Sequence, residues 1–306
     1  MYQESTDFIQ QCQNMTLSKK CMLLLNLGEE WIKILKQSST TNLTQSPRVM
    51  PPTKTKEKER QHLKGIEVLT ELMNILLDSL EDAATREVEG TMSSGHFLRH
   101  VNMSQYYWHL TECMDIWGSL PTTTSGAKAE HLLNRMEKVC TLDDHYAPLT
   151  PNAVAYGSVM KAWVNTIDTP GGTNGAVEAS RVLEHQCDLF SAGFGKHSPP
   201  NMHIYNTLMH GYAMRGMVPE AESLLEGLEN KSIYAESVEG ERIYFTPDVM
   251  TYSSCINVYS KYKGRPLKGK SAADRAEDLL HRLYKKYEET GDSKFMPNQI
   301  TFGTGM

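Results

Sequence analysis

Apolar residues recur at helical spacing along most of the chain. Residues 8–36 have an amphipathic pattern long enough for one or two helices, and residues 64–89 carry an apolar stripe that includes Ile66, Leu69 and Leu72. Because steps of three and four residues return side chains to one face, both stretches predict helices. After about residue 100, helical stretches alternate with turns and almost nothing has the alternation of a strand.

One motif begins with proline followed by Asn or Asp. Its four copies, about 50 residues apart, start at Pro151, Pro200, Pro247 and Pro297. Three copies then carry two aromatic residues seven positions apart: Tyr156/Trp163, Tyr205/Tyr212 and Tyr252/Tyr259. A weaker copy earlier in the chain has Leu110 and Trp117 at these positions. Seven residues make two helical turns, so each pair lies on one face. Proline ends the preceding helix, and the Asn or Asp caps the next one.

A second motif, Ala-[Glu/Ser]-x-[Val/Leu]-Leu, follows the first in each unit. Its four copies begin at Ala129, Ala179, Ala221 and Ala276. The small alanine lets a neighbouring helix approach closely, and the aliphatic residues fill the seam. Each unit is therefore predicted to be a helical hairpin, and a lone hairpin must stack on the next one to bury its apolar face. The sequence thus predicts an all-α fold, an α-solenoid of stacked antiparallel helical hairpins.

These residues resemble the pentatricopeptide repeat (PPR) family, with P-type-like repeats that carry loop insertions. The stretch "IYNTLMHGYAMRGMVPEAESLLEGL", which starts at Ile204, matches the family pattern almost position for position, and its spacing from Tyr205 to Ala221 is that of the family. The resemblance covers about residues 104–306 and implies a right-handed superhelix. The tetratricopeptide repeat fits less well, because its Leu-Gly step is missing here.

The pattern and the resemblance together suggest a domain layout. A helical amino-terminal segment (1–36) is followed by a disordered linker (37–60), which is polar and contains three prolines. A second helical segment (61–103) is interpretable as a degenerate repeat. The PPR array (104–306) then has units at about 107–152, 153–201, 202–248 and 249–298 and a partial unit at 299–306. The last unit stops within its first helix, so we expect the sequence to be a truncated chain or a fragment.

Charge adds a pattern that the total conceals. The 306 residues have a formal net charge of -6 and a pI of about 6.0, whereas small nucleic-acid-binding domains are usually basic. The first helices of three units nevertheless contain only basic charged residues, and the second helices are acidic overall; the basic residues are Lys161, Arg215, Lys261, Lys263 and Arg265. In the family the first helices line the concave face, so the resemblance implies a mildly positive groove for a phosphate backbone.

The resemblance also implies which residues would contact RNA. In the family, the residue after the anchoring tyrosine and the last residue of the unit read one base together. The corresponding pairs are Thr111 with Asn152, Gly157 with Asn201, Asn206 with Asp248, and Ser253 with Asn298. By resemblance, Asn with Asp favours uracil and Thr or Ser with Asn favours adenine, which gives the target 5′-A-(A)-U-A-3′. The family's stacking position corresponds to Val154, His203 and Met250, and its phosphate-binding lysine to Lys261.

Other chemistry finds little support in the sequence. We find no P-loop, G-x-G-x-x-G or H-E-x-x-H motif and no recognisable catalytic triad, so we expect no enzymatic activity and no cofactor. His96 and His100 could share a helix face, but no third ligand follows at a suitable spacing, so we expect no metal site. The six cysteines form no C-x-x-C pair and are interpreted as free thiols. The longest apolar run, residues 21–27, is too short to span a membrane.

We therefore expect a sequence-specific single-stranded RNA-binding repeat protein. The resemblance implies a role in organellar RNA processing, stability, editing or translation. It also implies a mitochondrial or plastid location, although no clear transit peptide is seen. Organellar RNA-processing or ribosomal proteins are expected as further partners. The alternative is a helical-repeat scaffold for protein interactions, such as one associated with the organellar ribosome.

Overall fold

The fold is almost entirely helical in the part of the chain that can be described. The computed structural model describes residues 17–44, 52–88, 103–193, 198–262, 264, 269–299 and 301. Within these residues, regular structure is α-helix apart from short 3-10 turns and one two-stranded hairpin. This confirms the predicted all-α fold. The chain divides into two compact units, Met1–Leu120 with Ala127–Ser158 and Pro121–Gly126 with Val159–Met306.

The first unit is built mainly from four helices. These are α1 (Leu17–Thr44), α2 (Pro52–Val88), α3 (Met103–Gly118) and α4 (Ser125–Cys140), followed by a 3-10 turn at Asp144–Leu149 and the beginning of α5 (Ala153–Asn165). The apolar stripes of α1, α2 and α3 are buried in a common core, as their spacing predicts; Leu24, Leu69, Leu76 and Leu110 are fully buried. Each such side chain contributes about 1.5–3 kcal/mol on leaving water.

Several polar side chains inside this unit are hydrogen-bonded or ion-paired. The indole N–H of Trp117 donates to Thr70 Oγ1 at 2.8 Å, and the Thr70 hydroxyl donates to the Ile66 carbonyl at 2.7 Å. Arg135 of α4 reaches α2, where its guanidinium pairs with Asp78 at 2.6 Å and with Glu81 at 2.9 Å. These contacts connect α2 to α3 and to α4.

Within the described residues, the second unit contains the end of α5 and five further helices. They are α6 (Gly175–Ser191), α7 (Met202–Arg215), α8 (Val218–Glu229), α9 (Val249–Lys261) and α10 (Ala272–Thr290). The turn between α7 and α8 follows from local chemistry. Gly216 adopts a left-handed conformation with φ 62° at the end of α7, and Pro219 lies in the first turn of α8. Both are placements that favour a helix end and a helix start.

In the second unit, the helices that carry the two repeated motifs contact each other, α7 with α8 and α9 with α10. All four motif alanines are buried, and so are the paired aromatic residues. In the second unit the Tyr252 hydroxyl donates to Glu229, and Tyr205 bonds the Cys187 thiol. In the first unit Tyr156 donates to Glu137 at 2.5 Å. Each acceptor lies eight residues after its motif alanine. The tyrosines therefore pack one hairpin onto the preceding one and fix its register.

The structure differs from the predicted linker at residues 37–60. Helix α1 continues to Thr44 and α2 already begins at Pro52. Proline is tolerated in the first helical turn, where its missing N–H has no intrahelical partner. The Lys, Glu, Gln and Arg residues that follow it have high helix propensity. Low hydrophobicity was therefore a poor guide here, because polar residues with straight side chains still form helix.

A short hairpin between α8 and α9 was also not predicted. Strands β1 (Tyr234–Glu236) and β2 (Arg242–Tyr244) pair antiparallel, with Tyr234 opposite Tyr244. Gly240 in the connecting turn has φ 79°. Directly after β2, Phe245 packs on the ring of Tyr205 with the centroids 4.7 Å apart. The segment that contains the hairpin therefore packs against the first turn of α7.

Two further features bear on the sequence analysis. Cys21, Cys113, Cys140, Cys187 and Cys255 are free thiols in the structure. Of the helices in the described ranges, none combines the length and apolar character needed to cross a bilayer.

Candidate nucleic-acid interface

The second residue of each Pro-Asn or Pro-Asp motif caps the helix that it precedes. Asn152 Oδ1 accepts the N–H of Val154 at 2.8 Å, and Asn201 Oδ1 accepts that of Ile204 at 3.1 Å. Asp248 Oδ1 accepts the N–H groups of Met250 and Thr251, and Asn298 Oδ1 that of Thr301. Free amides at helix starts need such acceptors. The capping prediction is confirmed for all four copies.

Asn206 and Asp248 lie together, although 42 residues separate them in the chain. Asn206 is the fifth residue of α7, and Asp248 is the residue before α9. The Asn206 side-chain amide donates to both carboxylate oxygens of Asp248, at 3.2 Å and 3.3 Å. Both side chains are partly exposed. The pair is therefore assembled in the free protein and keeps an open side toward solvent.

Thr251 completes this cluster and was not among the predicted site residues. Its Oγ1 lies 2.7 Å from Asn206 Oδ1 and 3.0 Å from Asp248 Oδ1, and it accepts the Asp248 N–H at 3.1 Å. The last bond and the capping of the Thr251 N–H by Asp248 form a capping box. The signal was present in the sequence, since a threonine follows Asp248 and Asn298 at the third position.

The pair of Ser253 with Asn298 repeats this arrangement through Thr301. Ser253 Oγ lies 2.8 Å from Thr301 Oγ1, which is 3.1 Å from Asn298 Oδ1. Ser253 also donates its own hydroxyl proton to the Val249 carbonyl at 2.7 Å, and its side chain is 4% exposed. In this pair, Asn298 is the member with open surface, while Ser253 contributes a buried hydroxyl.

The two remaining predicted pairs are Thr111 with Asn152 and Gly157 with Asn201. Thr111 is 7% exposed and its hydroxyl bonds the carbonyls of its own helix at Tyr107 and Trp108. Burial raises the pKa of the Tyr107 phenol and Asn152 acts in the opposite direction, which places this phenol beside the cap. Gly157 and Asn201 belong to different compact units.

The residues predicted to stack on bases all face solvent. Val154 is 63% exposed and Met250 47%, and His203 is also exposed. Each follows its helix cap by two residues, at the start of α5, α9 and α7 respectively. In the second unit, His203 lies three residues before Asn206, and Met250 lies two residues after Asp248. Apolar and imidazole groups at such positions offer flat or compact surfaces on which a base can stack.

The predicted positive charge is smaller than the sequence suggests. Lys261 is exposed in the last turn of α9. Arg215 is 11% exposed, and its guanidinium is held by Asp168 and by the carbonyls of Val164 and Thr166. It is therefore part of the packing between α5 and α7 and is unavailable to phosphate. Lys263 and Arg265 lie outside the described residues.

The structure describes only some of the residues on which the prediction of no metal site rests. His96 and His100 lie outside the described ranges. Among the residues within those ranges, no group of three or more His, Cys, Asp or Glu side chains is arranged to hold a metal ion.

Comparison with known families agrees with the geometry of α7 and α8. Residues 203–233 match the family model of the PPR repeat. The chain therefore contains a PPR repeat. The match begins in the first turn of α7 and ends one residue before β1. The matched PPR repeat is the unit whose aromatic-to-alanine spacing follows the family pattern, while the other units carry insertions. No curated protein matches the sequence.

Proposed function

We propose that this PPR-repeat protein binds single-stranded RNA, with Asn206 and Asp248 contacting a base. The observation that carries the proposal is the preassembled pair of Asn206 and Asp248. The exposed His203 precedes Asn206 by three residues, and the exposed Met250 follows Asp248 by two. Two polar groups of fixed orientation form a site for the edge of one unpaired base. Because the pair is already ordered, binding a base costs little side-chain entropy.

The pair combines donor and acceptor groups that suit a Watson–Crick edge. Asn206 has a second amide N–H, and Asp248 is acceptor-only while ionised. Uracil presents an N–H between two carbonyl oxygens, so it can accept from Asn206 and donate to Asp248. This agrees with the uracil preference that the family resemblance implies. For Ser253 with Asn298 the same resemblance implies adenine, read mainly by the partly exposed Asn298.

Phosphate contacts are proposed to contribute less than base contacts. Lys261 is exposed, whereas Arg215 is paired with Asp168. With few basic side chains to neutralise phosphates, counterion release on binding should be small. We therefore expect modest affinity for unrelated RNA, with discrimination supplied by base contacts.

The wider role is also a proposal, and it rests on the family resemblance. The repeat array, from about residue 104 to residue 306, would hold RNA for processing, stabilisation, editing or translation in mitochondria or plastids. It would act through binding without catalysis of its own. RNA-processing or ribosomal proteins of the organelle are the expected protein partners.

The test compares two RNAs that differ only at the uracil. The chain and its Asn206→Ala variant are titrated with a single-stranded oligonucleotide that contains AAUA and with one that contains AACA. Loss of a base contact should weaken binding to the AAUA RNA by about 1–3 kcal/mol, with little change for the AACA RNA. Asn134→Ala, an exposed asparagine of α4, is the matched control and should leave both affinities unchanged.

Equal loss on the two RNAs would contradict base reading by Asn206. If the wild-type chain retains no RNA but retains a protein from an organellar extract, the protein-interaction scaffold is the better description. As a separate test, crosslinking followed by sequencing of the bound RNA would show whether a common motif is enriched in cells.

A further inference from the structure

We infer that Thr251 and Thr301 are positioning residues for base recognition, each fixing the reading pair of the preceding repeat. The inference rests on the proposed RNA-binding function. Neither threonine is expected to touch RNA, because Thr251 and Thr301 are fully buried. Each would act through the partly exposed polar side chain that it contacts, Asn206 in one case and Asn298 in the other.

The orientation of the Asn206 amide depends on two neighbours. The carboxylate of Asp248 accepts hydrogen bonds only, so it selects the amino group of Asn206, at 3.2 Å and 3.3 Å. Thr251 Oγ1 lies on the other side, 2.7 Å from Asn206 Oδ1, and can donate a proton there. If the amide turned over, its oxygen would face the carboxylate. The two neighbours therefore select the same orientation.

The single hydroxyl proton of Thr251 is best used by Asn206. Thr251 Oγ1 accepts the Asp248 N–H at 3.1 Å, so its own proton must go to another acceptor. The alternative acceptor, Asp248 Oδ1, is 3.0 Å away and already accepts the N–H groups of Met250 and Thr251. Asn206 Oδ1 is both closer and less occupied. Removing this hydroxyl would leave the side-chain oxygen of Asn206 without that donor.

The fixed amide determines what remains for the base. One N–H of Asn206 is used by Asp248, and the other stays available as a donor. Uracil and cytosine differ in which edge atoms accept and which donate, so their discrimination depends on which way this amide points. The last torsion of asparagine has broad, shallow minima. Without the hydroxyl, Asp248 alone selects this orientation, so the amide would spend more time in orientations that suit cytosine.

The threonine hydroxyl distinguishes two of the predicted base-reading pairs from the other two. Asp248 and Asn298 are followed three residues later by threonine, whereas Asn152 and Asn201 are followed by Ala155 and Ile204. Those two side chains have no hydroxyl. Base discrimination is therefore expected to be strongest at the two adjacent nucleotides read by Asn206 with Asp248 and by Ser253 with Asn298.

The experiment measures discrimination ratios. Wild type, Thr251→Val and Thr301→Val are titrated with RNAs that contain AAUA, AACA and AAUG. For Thr251→Val, the affinity ratio of AAUA over AACA should fall about fivefold, the effect of one lost hydrogen bond, while the ratio of AAUA over AAUG is kept. Thr301→Val should show the reverse pattern. Thr251→Ser, which keeps the hydroxyl, should retain both ratios.

Thr207→Val is the matched control. It removes a threonine hydroxyl one residue from Asn206, but that hydroxyl bonds only the His203 carbonyl of its own helix at 3.0 Å. It should leave both ratios unchanged. If a wild type that discriminates uracil from cytosine keeps its ratio in Thr251→Val, the positioning role is wrong although RNA binding stands. If wild type binds no RNA, the proposed function itself fails.

A measurement on wild type tests the bridge without any destabilised variant. The side-chain amide NMR signal of Asn206 can be assigned by its loss in Asn206→Ala. A bridged amide should have an order parameter close to that of rigid backbone, about 0.85. A value below about 0.6 would show a freely moving amide and overturn the inference.

Discussion

Replacing Arg215 by methionine separates a structural role of this residue from an RNA-binding one. Its guanidinium donates to Asp168 through Nε at 2.7 Å and Nη2 at 2.9 Å. It also donates to the carbonyls of Val164 at 3.0 Å and Thr166 at 3.1 Å, near the end of α5. Methionine keeps much of the apolar stem but leaves these acceptors without their donor.

The expected loss of stability can be estimated from these contacts. Asp168 is 38% exposed, so solvent screening reduces its ion pair to about 0.5 kcal/mol. Each carbonyl that loses a charged donor costs about 1 kcal/mol, and a cation near the end of a helix contributes up to about 1 kcal/mol. We therefore expect Arg215→Met to lower the free energy of unfolding by about 2.5–3.5 kcal/mol.

The pH dependence gives an independent check. Hydrogen bonding to Arg215 is the main cause that lowers the pKa of Asp168. A lowered pKa in the folded state means that this contribution is present above the ordinary Asp value of about 3.9 and is lost as pH falls through the lowered value. The difference in unfolding free energy between wild type and Arg215→Met should therefore shrink in acid.

The assay is urea unfolding at neutral pH, repeated at acidic pH. Arg181→Met is the control, because its pair with Glu178 is an exposed contact within α6 and should contribute under about 0.5 kcal/mol. Arg215→Lys keeps the charge without the planar fork and should lie between wild type and the methionine variant. A loss below about 0.5 kcal/mol for Arg215→Met would refute this account of the contacts. So would an unchanged stability together with a reduced salt dependence of RNA binding.

Two further predictions concern buried groups of the repeats. Tyr252→Phe should cost about 1 kcal/mol in urea unfolding, because the hydroxyl that donates to Glu229 is lost while Arg282 still pairs with this carboxylate. Tyr284→Phe, at an exposed position, should cost nothing measurable, and an equal loss in both variants would contradict the prediction. Burial raises the pKa of the Cys255 thiol to about 12, so at pH 8 it should not react with a thiol reagent until the chain is unfolded. Rapid labelling of Cys255 in the native chain, seen by peptide mass spectrometry, would show that the thiol is accessible.

Local features of the chain were predictable where one physical cause dominates. The Pro-Asn and Pro-Asp steps predicted helix starts because a helix needs acceptors for its first amides, and all four cap bonds are present. The seven-residue spacing of Tyr205 and Tyr212 placed both rings on one buried face for the same kind of local reason. The predicted linker was partly wrong, since low hydrophobicity does not exclude helix.

The sequence by itself determined the helical hairpins, their caps and the family pattern, because these depend on residues a few positions apart. It also paired Asn206 with Asp248 through the family resemblance. Only the tertiary structure showed that Thr251 holds this pair together and that Arg215 is committed to Asp168. Both contacts join residues more than 40 positions apart, and their geometry depends on how neighbouring helices pack. Hydrogen bonds across such distances leave no periodic signal in a single chain, so they appear only when the helices are in place.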